Sequence, residues 1–396
     1  MKAFPGKLLA VVLGLLVLTY YRGFVSFSAF AEAHQPGAYA DDIETYLKTQ
    51  METYKIPGLA IAIVRNGEAE YVKGFGIANG RGEVVTADTP FLLNSVSKSF
   101  TAVGIMQLVN EGKINLNDPV QKYLPWFAVS SDQGSQITVA HLLYQTSGFS
   151  TLSGRQVTLK PDAPDALEAG VRELAQEKLA FNPGHGWEYS NINYNLLGLL
   201  IQEVSGQSYE DYIEEHVFAP LEMHDSYTSI SAAREAGAAS GYYSFLGIRV
   251  VFDRYMLYSR GNLPSGGLWS SASDMSRYLI AHLNGGQYGD VSLLSTGSTT
   301  TLHQPGHMHD DKRGYAMGWD INYEFLSRAY LETLETELKD YDKLTTLYHD
   351  GDNVNYRSIA LMIPGLAYGV VILMNTNNPS VMSALNNFAW DVTLMH

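Results

Sequence analysis

One stretch constrains this chain more than any other: Phe91-Leu92-Leu93-Asn94-Ser95-Val96-Ser97-Lys98-Ser99-Phe100-Thr101-Ala102. We predict a helix here, and a helix places residues three apart on one face, so the Lys98 amine can reach the Ser95 hydroxyl. A serine hydroxyl becomes a good nucleophile when a neighbouring base takes its proton. This Ser-x-x-Lys, the only one in the chain, therefore puts a candidate nucleophile and a candidate base on one rigid turn.

A second motif, Tyr189-Ser190-Asn191, is the only Tyr-x-Asn in the chain. It follows the turn Pro183-Gly184 and precedes a predicted helix, which indicates a loop held in a fixed place. A lysine with an ordinary pKa is protonated at neutral pH, so Lys98 needs a lowered pKa and a partner that carries the proton onward. A tyrosine beside the lysine can share that task. The structural alternative is Tyr189 at a helix entrance with Asn191 as the N-cap.

A third motif, Tyr348-His349-Asp350-Gly351-Asp352, precedes the C-terminal strand patterns. A glycine such as Gly351, on a strand beside a cleft, lets a substrate approach the backbone closely. A main-chain N–H at this place can supply half of an oxyanion hole. The alternative is that His349 is a strand residue with no chemical role.

Taken in this order and spacing, the three motifs resemble the serine β-lactamase and penicillin-binding-protein superfamily. The resemblance is closest to the class C β-lactamase-like branch, which also contains esterases, D-amino-acid peptidases and carboxypeptidases. Three flanking segments resemble further landmarks of that branch: Ile137-Thr138-Val139-Ala140-His141-Leu142-Leu143-Tyr144-Gln145-Thr146-Ser147-Gly148, Pro264-Ser265-Gly266-Gly267-Leu268-Trp269-Ser270-Ser271 and Tyr315-Ala316-Met317-Gly318-Trp319. The similarity covers residues 41–395.

The resemblance implies a role for each residue of the first two motifs. Ser95 would be acylated, and Lys98 would help to deprotonate it. Tyr189 would act as general base and then as general acid toward the leaving group. Asn191 would orient Lys98 and the substrate amide. No cofactor is implied.

The third motif departs from the pattern that the resemblance implies. His349 would stand on the strand that closes the site, and the oxyanion would be held by the N–H groups of Ser95 and Asp352. Enzymes of this superfamily that bind a substrate carboxylate carry Lys-Thr-Gly here, whereas this chain has His349 and Asp350. If Asp350 faced the cleft, it would oppose a substrate carboxylate by about 1–4 kcal/mol at about 4 Å. Esters or amine-bearing peptides are therefore favoured over penicillins.

Strand patterns occur at both ends of the chain. Leu59-Ala60-Ile61-Ala62-Ile63-Val64 is a short apolar strand, and it leads into the hairpin turn Asn66-Gly67. Residues 357–363 and 368–374 are apolar and rich in β-branched side chains. A closing helix is predicted for residues 379–395.

The middle of the chain has mostly helical patterns broken by Gly, Pro and Asn. Helices are predicted for residues 137–143 and 193–204, a helix start at 271–274, and a loop leading into a new helix at 116–120. The histidines His307 and His309 beside two aspartates lie in a loop that contains Gly and Pro, and we predict no metal site there.

These patterns predict an α/β (α+β) fold in which both chain ends build one antiparallel sheet flanked by helices. The sheet lobe would span about residues 41–91 and 310–395, and a mostly helical lobe, about residues 92–309, would be inserted between them. The active site would lie between the two lobes.

Composition limits the classes of function. The chain has 396 residues, of which 46% are hydrophobic, and this is enough for a sizeable core. Its formal net charge of −15 argues against nucleic acid as a partner. The absence of cysteine excludes disulfides and thiol catalysis.

The first 31 residues have the pattern of a secretory signal peptide. Lys2 and Lys7 precede an apolar run over residues 8–18, and Ala29-Phe30-Ala31 fits a cleavage site. The alternative is an uncleaved membrane anchor, although the run is short for a full span. We therefore expect an extracytoplasmic protein, associated with a membrane only if the segment is retained.

Two classes of function remain open. The first is an exported serine hydrolase that forms an acyl-enzyme on an ester or on a peptide or amide bond. Its substrate would be a small molecule or a peptide, including cell-wall peptide. The second is a non-catalytic or acyl-trapped penicillin-binding or cell-wall sensor protein that keeps the fold.

Overall fold

The computed structural model describes residues 39–130, 134–153, 163–245, 248–251, 259–323, 345–376, 381 and 385–394. The predicted signal peptide or anchor, residues 1–31, lies outside them. None of the helices in these ranges has both the length and the apolar character that a membrane span requires.

Eight of the described strands form one antiparallel sheet, in the order β2-β1-β14-β13-β12-β11-β10-β9. The other six form three two-stranded ribbons, β3 with β6, β4 with β5 and β7 with β8. In chain order the strands are β1 (Gly58–Arg65), β2 (Glu68–Gly76), β3 (Phe91–Leu92), β4 (Tyr242–Phe245), β5 (Ile248–Val251), β6 (Trp269–Ser270), β7 (Gln287–Tyr288), β8 (Val291–Ser292), β9 (His307–Met308), β10 (Arg313–Tyr315), β11 (Asp320–Asn322), β12 (Thr346–Asp352), β13 (Arg357–Ile363) and β14 (Tyr368–Met374).

Helices cover both faces of this sheet. Those in the described ranges are α1 (Tyr39–Tyr54), α2 (Ser97–Asn110), α3 (Val139–Leu143), α4 (Ala166–Glu173), α5 (Asn191–Ser205), α6 (Tyr209–Ile213), α7 (Ile230–Glu235), α8 (Leu263–Gly266), α9 (Ala272–Leu283), α10 (Thr296–His303) and α11 (Leu385–Leu394). A 3₁₀ turn over Asn94–Val96 leads directly into α2.

The central strands are apolar because both of their faces are buried. Alternate residues of β1 point to opposite faces: Ala60 belongs to the larger core with α2, α5 and α9, and Ile61 to the smaller core with α1 and α11. β1 joins β14 from the other end of the chain, with Ile61 opposite Ile372. The predicted antiparallel sheet from both chain ends, flanked by helices, is confirmed.

The predicted hairpin and helix ends follow from local chemistry. Asn66 and Gly67 both have positive φ, 50° and 80°, which the tight turn between β1 and β2 requires. Thr138 caps α3 and Gly206 ends α5 in the left-handed conformation.

One segment differs from the predictions. Residues 116–120 do not lead into a helix: only a 3₁₀ turn, Val120–Lys122, follows them. The N–H of Val120 is bonded to the Ile137 carbonyl, and this long-range bond holds the segment as a loop. The sheet also takes in β9, because His307 pairs with Tyr315 of β10.

Candidate active site

The turn before α2 presents Ser95 between strands β12 and β13 on one side and α8 on the other. Asn94 adopts a positive φ of 48°, which asparagine tolerates better than most residues. Its side-chain amide donates to the Tyr356 carbonyl at 3.3 Å, and the Leu93 N–H donates to the Leu268 carbonyl at 2.8 Å. These bonds tie the turn to both sides of the site, while Ser95 itself stays partly exposed.

Lys98 is fully buried, and its amine touches the candidate nucleophile. Nζ lies 3.0 Å from the Ser95 Oγ and donates to the Ser265 carbonyl at 2.6 Å. Burial lowers the pKa of Lys98 to about 7, against the opposing charges of Asp350 and Asp320. Near neutral pH the uncharged amine can therefore donate one hydrogen to Ser265 and turn its lone pair toward Ser95.

Tyr189 completes the group. The Lys98 Nζ lies 4.8 Å from the centre of the Tyr189 ring, and the Tyr189 phenol interacts with the Ser95 hydroxyl. Burial raises the pKa of Tyr189 well above its usual value, although the contact with Ser95 acts in the opposite direction. The phenol therefore holds its proton at neutral pH, and its place beside Lys98 and Ser95 suits it to pass a proton between them.

The loop that carries Tyr189 is held by Gln145. The Gln145 carbonyl accepts from the Glu188 N–H at 3.1 Å, and its side-chain oxygen accepts from the Ser190 N–H at 3.0 Å. The Thr151 hydroxyl donates to the Tyr189 carbonyl at 2.7 Å. Bonds on both sides of Tyr189 thus hold its backbone in position.

Asn191 lies apart from this contact group. It is exposed at the first residue of α5, where Ser190 is the N-cap, so Asn191 is not the cap. Within the described part of the chain, the hydrogen-bond partners of the Lys98 amine are Ser95 and Ser265, not Asn191. Orientation of Lys98 by Asn191 is therefore not seen, and a contact between Asn191 and the substrate stays a prediction.

Strand β12 brings the third motif against the nucleophile turn. A Cβ added to Gly351 would overlap the Leu93 carbonyl oxygen and crowd Asn94, so only glycine allows this approach. β11 pairs with β12 only as far as Tyr348, which leaves the edge from His349 to Asp352 without that neighbour. The edge is the place where a substrate backbone could lie, and the proposed oxyanion N–H of Asp352 belongs to it.

His349 is buried and uncharged. Its ring centre lies 6.1 Å from that of Tyr189, and Nδ1 is 2.6 Å from the Asp350 carbonyl. Burial and the nearby Lys98 lower the pKa of His349 to about 4, so the ring is neutral at pH 7. Its Nε2 is buried without a hydrogen-bond partner among the described residues. His349 therefore does not supply the positive charge that a lysine would bring to this strand.

The condition that Asp350 faces the cleft is not met. Leu347 packs in the larger core and Tyr348 against the smaller one. Since side chains alternate along a strand, Asp350 lies on the face opposite His349. There its carboxylate accepts from Arg357 at 3.1 Å. Asp350 is therefore neither unpaired nor in the cleft, and the expected direct repulsion of a substrate carboxylate does not arise.

Three residues of the site were not singled out in the sequence. Ser265 acts through its carbonyl, which no residue preference marks. Tyr315 is buried with its ring 6.5 Å from Tyr189, and Asp320 lies near Lys98, where burial raises its pKa to about 8. Ser265 and Tyr315 lie in two of the flanking segments that resemble the family, and this resemblance could have marked them as site residues.

The described residues contain no group of side chains that could hold a metal ion. His307 and His309 instead lie against the Trp187 ring, and Asp310 pairs with Arg313.

Gly351→Ala is expected to lower both activity and stability. The new methyl group must push β12 away from the Leu93 carbonyl and so displace the edge beside Ser95. We expect a loss of about 1–3 kcal/mol in the free energy of unfolding, measured by urea denaturation, with a fall in kcat. Gly297→Ala is the control because its position in α10 is open; equal effects of the two changes would contradict this account.

Comparison with known proteins identifies relatives of this chain. The Beta-lactamase family model matches residues 43–394. The chain is 31% identical over 353 residues to Protein flp of Staphylococcus aureus (strain MW2), covering 87% of this chain and 65% of that protein. It is 28% identical over 335 residues to Penicillin-binding protein 4 of Amycolatopsis lactamdurans, covering 82% and 81%.

A solved structure is also similar, that of the octameric penicillin-binding protein homologue from Pyrococcus abyssi. The TM-score is 0.71 at 28% identity, covering 88% of this chain and 77% of that one. The chain spans about 65% of the length of the S. aureus relatives it matches. The family model covers residues 43–394, and the sheet and helices are similar to those of the P. abyssi protein. The chain therefore belongs to the beta-lactamase family of the serine β-lactamase and penicillin-binding-protein superfamily.

Proposed function

We propose that this protein is a serine hydrolase that forms an acyl-enzyme at Ser95, with Lys98 and Tyr189 as its acid–base pair. The observation that carries the proposal is the contact of all three groups around one hydroxyl, with a lysine pKa near 7. Family membership supports serine hydrolase chemistry in general. Neither observation specifies the substrate.

In the proposed reaction the Ser95 proton passes to Lys98, directly or through the Tyr189 phenol, as Oγ attacks the carbonyl carbon. The N–H groups of Ser95 and Asp352 would hold the oxyanion. Tyr189 would then protonate the leaving alcohol or amine, and the protonated Lys98 would return a proton to Tyr189. A water molecule would release the acid by the same steps and restore the Ser95 hydroxyl.

We propose esters or amine-bearing peptides rather than penicillins as substrates. Asp350 does not disfavour penicillins directly, since its carboxylate lies on the other face of β12 and accepts from Arg357. What remains is His349: a neutral ring replaces a cation where a substrate carboxylate would need one. Because one relative is named as a penicillin-binding protein and another as a penicillin-binding protein homologue, a cell-wall peptide is included among the candidate substrates.

The test combines acylation with turnover. One sample of the purified protein is treated with a fluorophosphonate probe, which phosphonylates a reactive serine with loss of fluoride, and the adduct is located by intact mass and peptide mapping. A separate, untreated sample is assayed on matched esters, D-amino-acid amides, D-alanyl-D-alanine peptides and a penicillin, and stable acyl adducts from these substrates are sought by intact mass. An adduct on Ser95 with turnover supports the hydrolase, whereas a stable acyl adduct without turnover supports the trapped sensor. An adduct elsewhere, or none, would contradict both.

A further inference from the structure

A continuous surface of aromatic rings extends outward from Tyr189 and has no task in the proposed reaction. We name it the aromatic wall; its members are Tyr315, Trp187, His307 and His309. Ring centres are 6.5 Å apart between Tyr189 and Tyr315, 5.9 Å between Tyr315 and Trp187, and 4.3 Å between Trp187 and His309. His307 and His309 are 5.3 Å apart.

Backbone pairing fixes the wall in place. His307 is the cross-strand partner of Tyr315, so their side chains share one face of the sheet. The Gly306 N–H donates to the Tyr315 carbonyl at 3.0 Å, and the His309 N–H donates to that of Arg313 at 2.8 Å. A Cβ on Gly306 would overlap the Tyr144 ring, so this backbone lies directly on an aromatic face. A surface formed in advance costs little ordering when a ligand arrives.

The wall offers aromatic area to solvent without charge. Tyr315 is buried, Trp187 and His307 are half-buried, and His309 is exposed. Burial lowers the pKa values of His307 and His309, which favours neutral rings at pH 7. The guanidinium of Arg313, in the neighbouring strand, is ion-paired with Asp310 at 2.7 Å. A charged ligand group therefore has little to bind here, whereas a flat apolar group has several ring faces and edges.

We propose that the aromatic wall is a substrate subsite that binds an aromatic ring carried by the ester or peptide. This deepens the proposed function and rests on it. A scissile carbonyl between Ser95 and Tyr189 would place a neighbouring substituent one ring away from Tyr315 and Trp187. A planar ring gains stacking and edge contacts beyond its burial, and a saturated ring of the same size does not.

The experiment uses two series of matched esters. In one the acyl group is phenylacetyl or cyclohexylacetyl with a common ethyl leaving group; in the other the leaving group is benzyl or cyclohexylmethyl with a common acetyl group. The measured quantity is the phenyl-to-cyclohexyl ratio of kcat/KM. Trp187→Leu and His309→Ala test the wall. Met308→Ala is the matched control, because Met308 is exposed between the two histidines and pairs opposite Gly314.

We expect a ratio of roughly 3 to 10 for the wild type in at least one series, falling toward about 1 in both wall variants and unchanged in Met308→Ala. A ratio near 1 in both series for the wild type, or one that survives both wall substitutions, overturns the proposal. Failure of the proposed function gives a different result. If Ser95→Ala still hydrolyses the esters, the Ser95 acyl-enzyme is wrong, but the phenyl-to-cyclohexyl ratio of kcat/KM can still be measured and still tests the aromatic wall. If no ester is turned over, the dissociation constants of phenylacetamide and cyclohexylacetamide, measured by calorimetry, replace the kcat/KM ratio. Equal affinity for the two amides, or no binding of either, overturns the proposal.

Discussion

Ser95→Ala is expected to abolish ester hydrolysis, with kcat reduced by a factor on the order of 10⁴ to 10⁶. In the proposed reaction the Ser95 Oγ forms the bond to the substrate carbonyl carbon, and Lys98 and Tyr189, which contact this hydroxyl, act through its proton. The fold should be kept, since alanine removes a partly exposed hydroxyl that lies outside the core. The measurement is steady-state hydrolysis of the best ester, together with the thermal unfolding curve.

Ser97→Ala is the matched control on the same turn. The Ser97 hydroxyl is buried and accepts from the Leu268 N–H at 3.1 Å, so its loss should cost about 1–3 kcal/mol of stability. Most activity should remain at a temperature where the variant is folded. Equal rates for wild type and Ser95→Ala would rule out the acyl-enzyme at this residue.

Lys98→Met is expected to lower kcat by about 10² to 10⁴ and to stabilise the fold. Methionine fills a similar volume and removes an amine whose charged form is disfavoured by burial. It also leaves the Ser265 carbonyl without its donor, which offsets part of the gain. We expect a net increase of about 1–2 kcal/mol in the free energy of unfolding at pH 7, measured by urea denaturation.

The pH dependence of both quantities has a definite sign. Catalysis needs the neutral amine, so wild-type kcat/KM should rise as pH increases through about 7. The unfolded chain keeps the Lys98 proton to a higher pH than the folded chain does. The free energy of unfolding therefore rises between about pH 7 and pH 10. The advantage of Lys98→Met should thus be full below pH 7 and vanish above the unfolded pKa.

Lys48→Met serves as the control, because Lys48 has 61% of its side chain exposed and a single i,i+4 pair with Glu44. Its stability should change by no more than about 0.5 kcal/mol. A Lys98→Met protein that is active, or that is destabilised at every pH, would contradict the role of the buried amine.

Local patterns predicted much of this architecture. The apolar runs of β1, β13 and β14 and the Asn66-Gly67 turn lie where the sequence places them. The 3₁₀ turn that holds Ser95 runs directly into α2, and the three-residue spacing brings Lys98 to the serine hydroxyl. Such features depend on residues that lie close together in sequence, so a single sequence can reveal them.

Other features depend on residues far apart in sequence. The face of Asp350 was undetermined because strand alternation assigns a side chain to a face only after the neighbours of β12 are known. The segment after residue 116 stays a loop because of a bond to the Ile137 carbonyl. The carbonyl that accepts from the Lys98 amine belongs to Ser265, from a distant segment, and not to Asn191.

By itself the sequence singled out Ser95, Lys98 and Tyr189 as the candidate nucleophile, amine and phenol, since the order of three short motifs marks them. Only the tertiary structure decided that the amine is buried enough to lose its proton near pH 7, that the third motif presents a neutral ring, and that an aromatic wall adjoins the phenol. The reason is physical. A pKa and a binding surface depend on everything that surrounds a group in space, and most of that surrounding comes from distant parts of the chain.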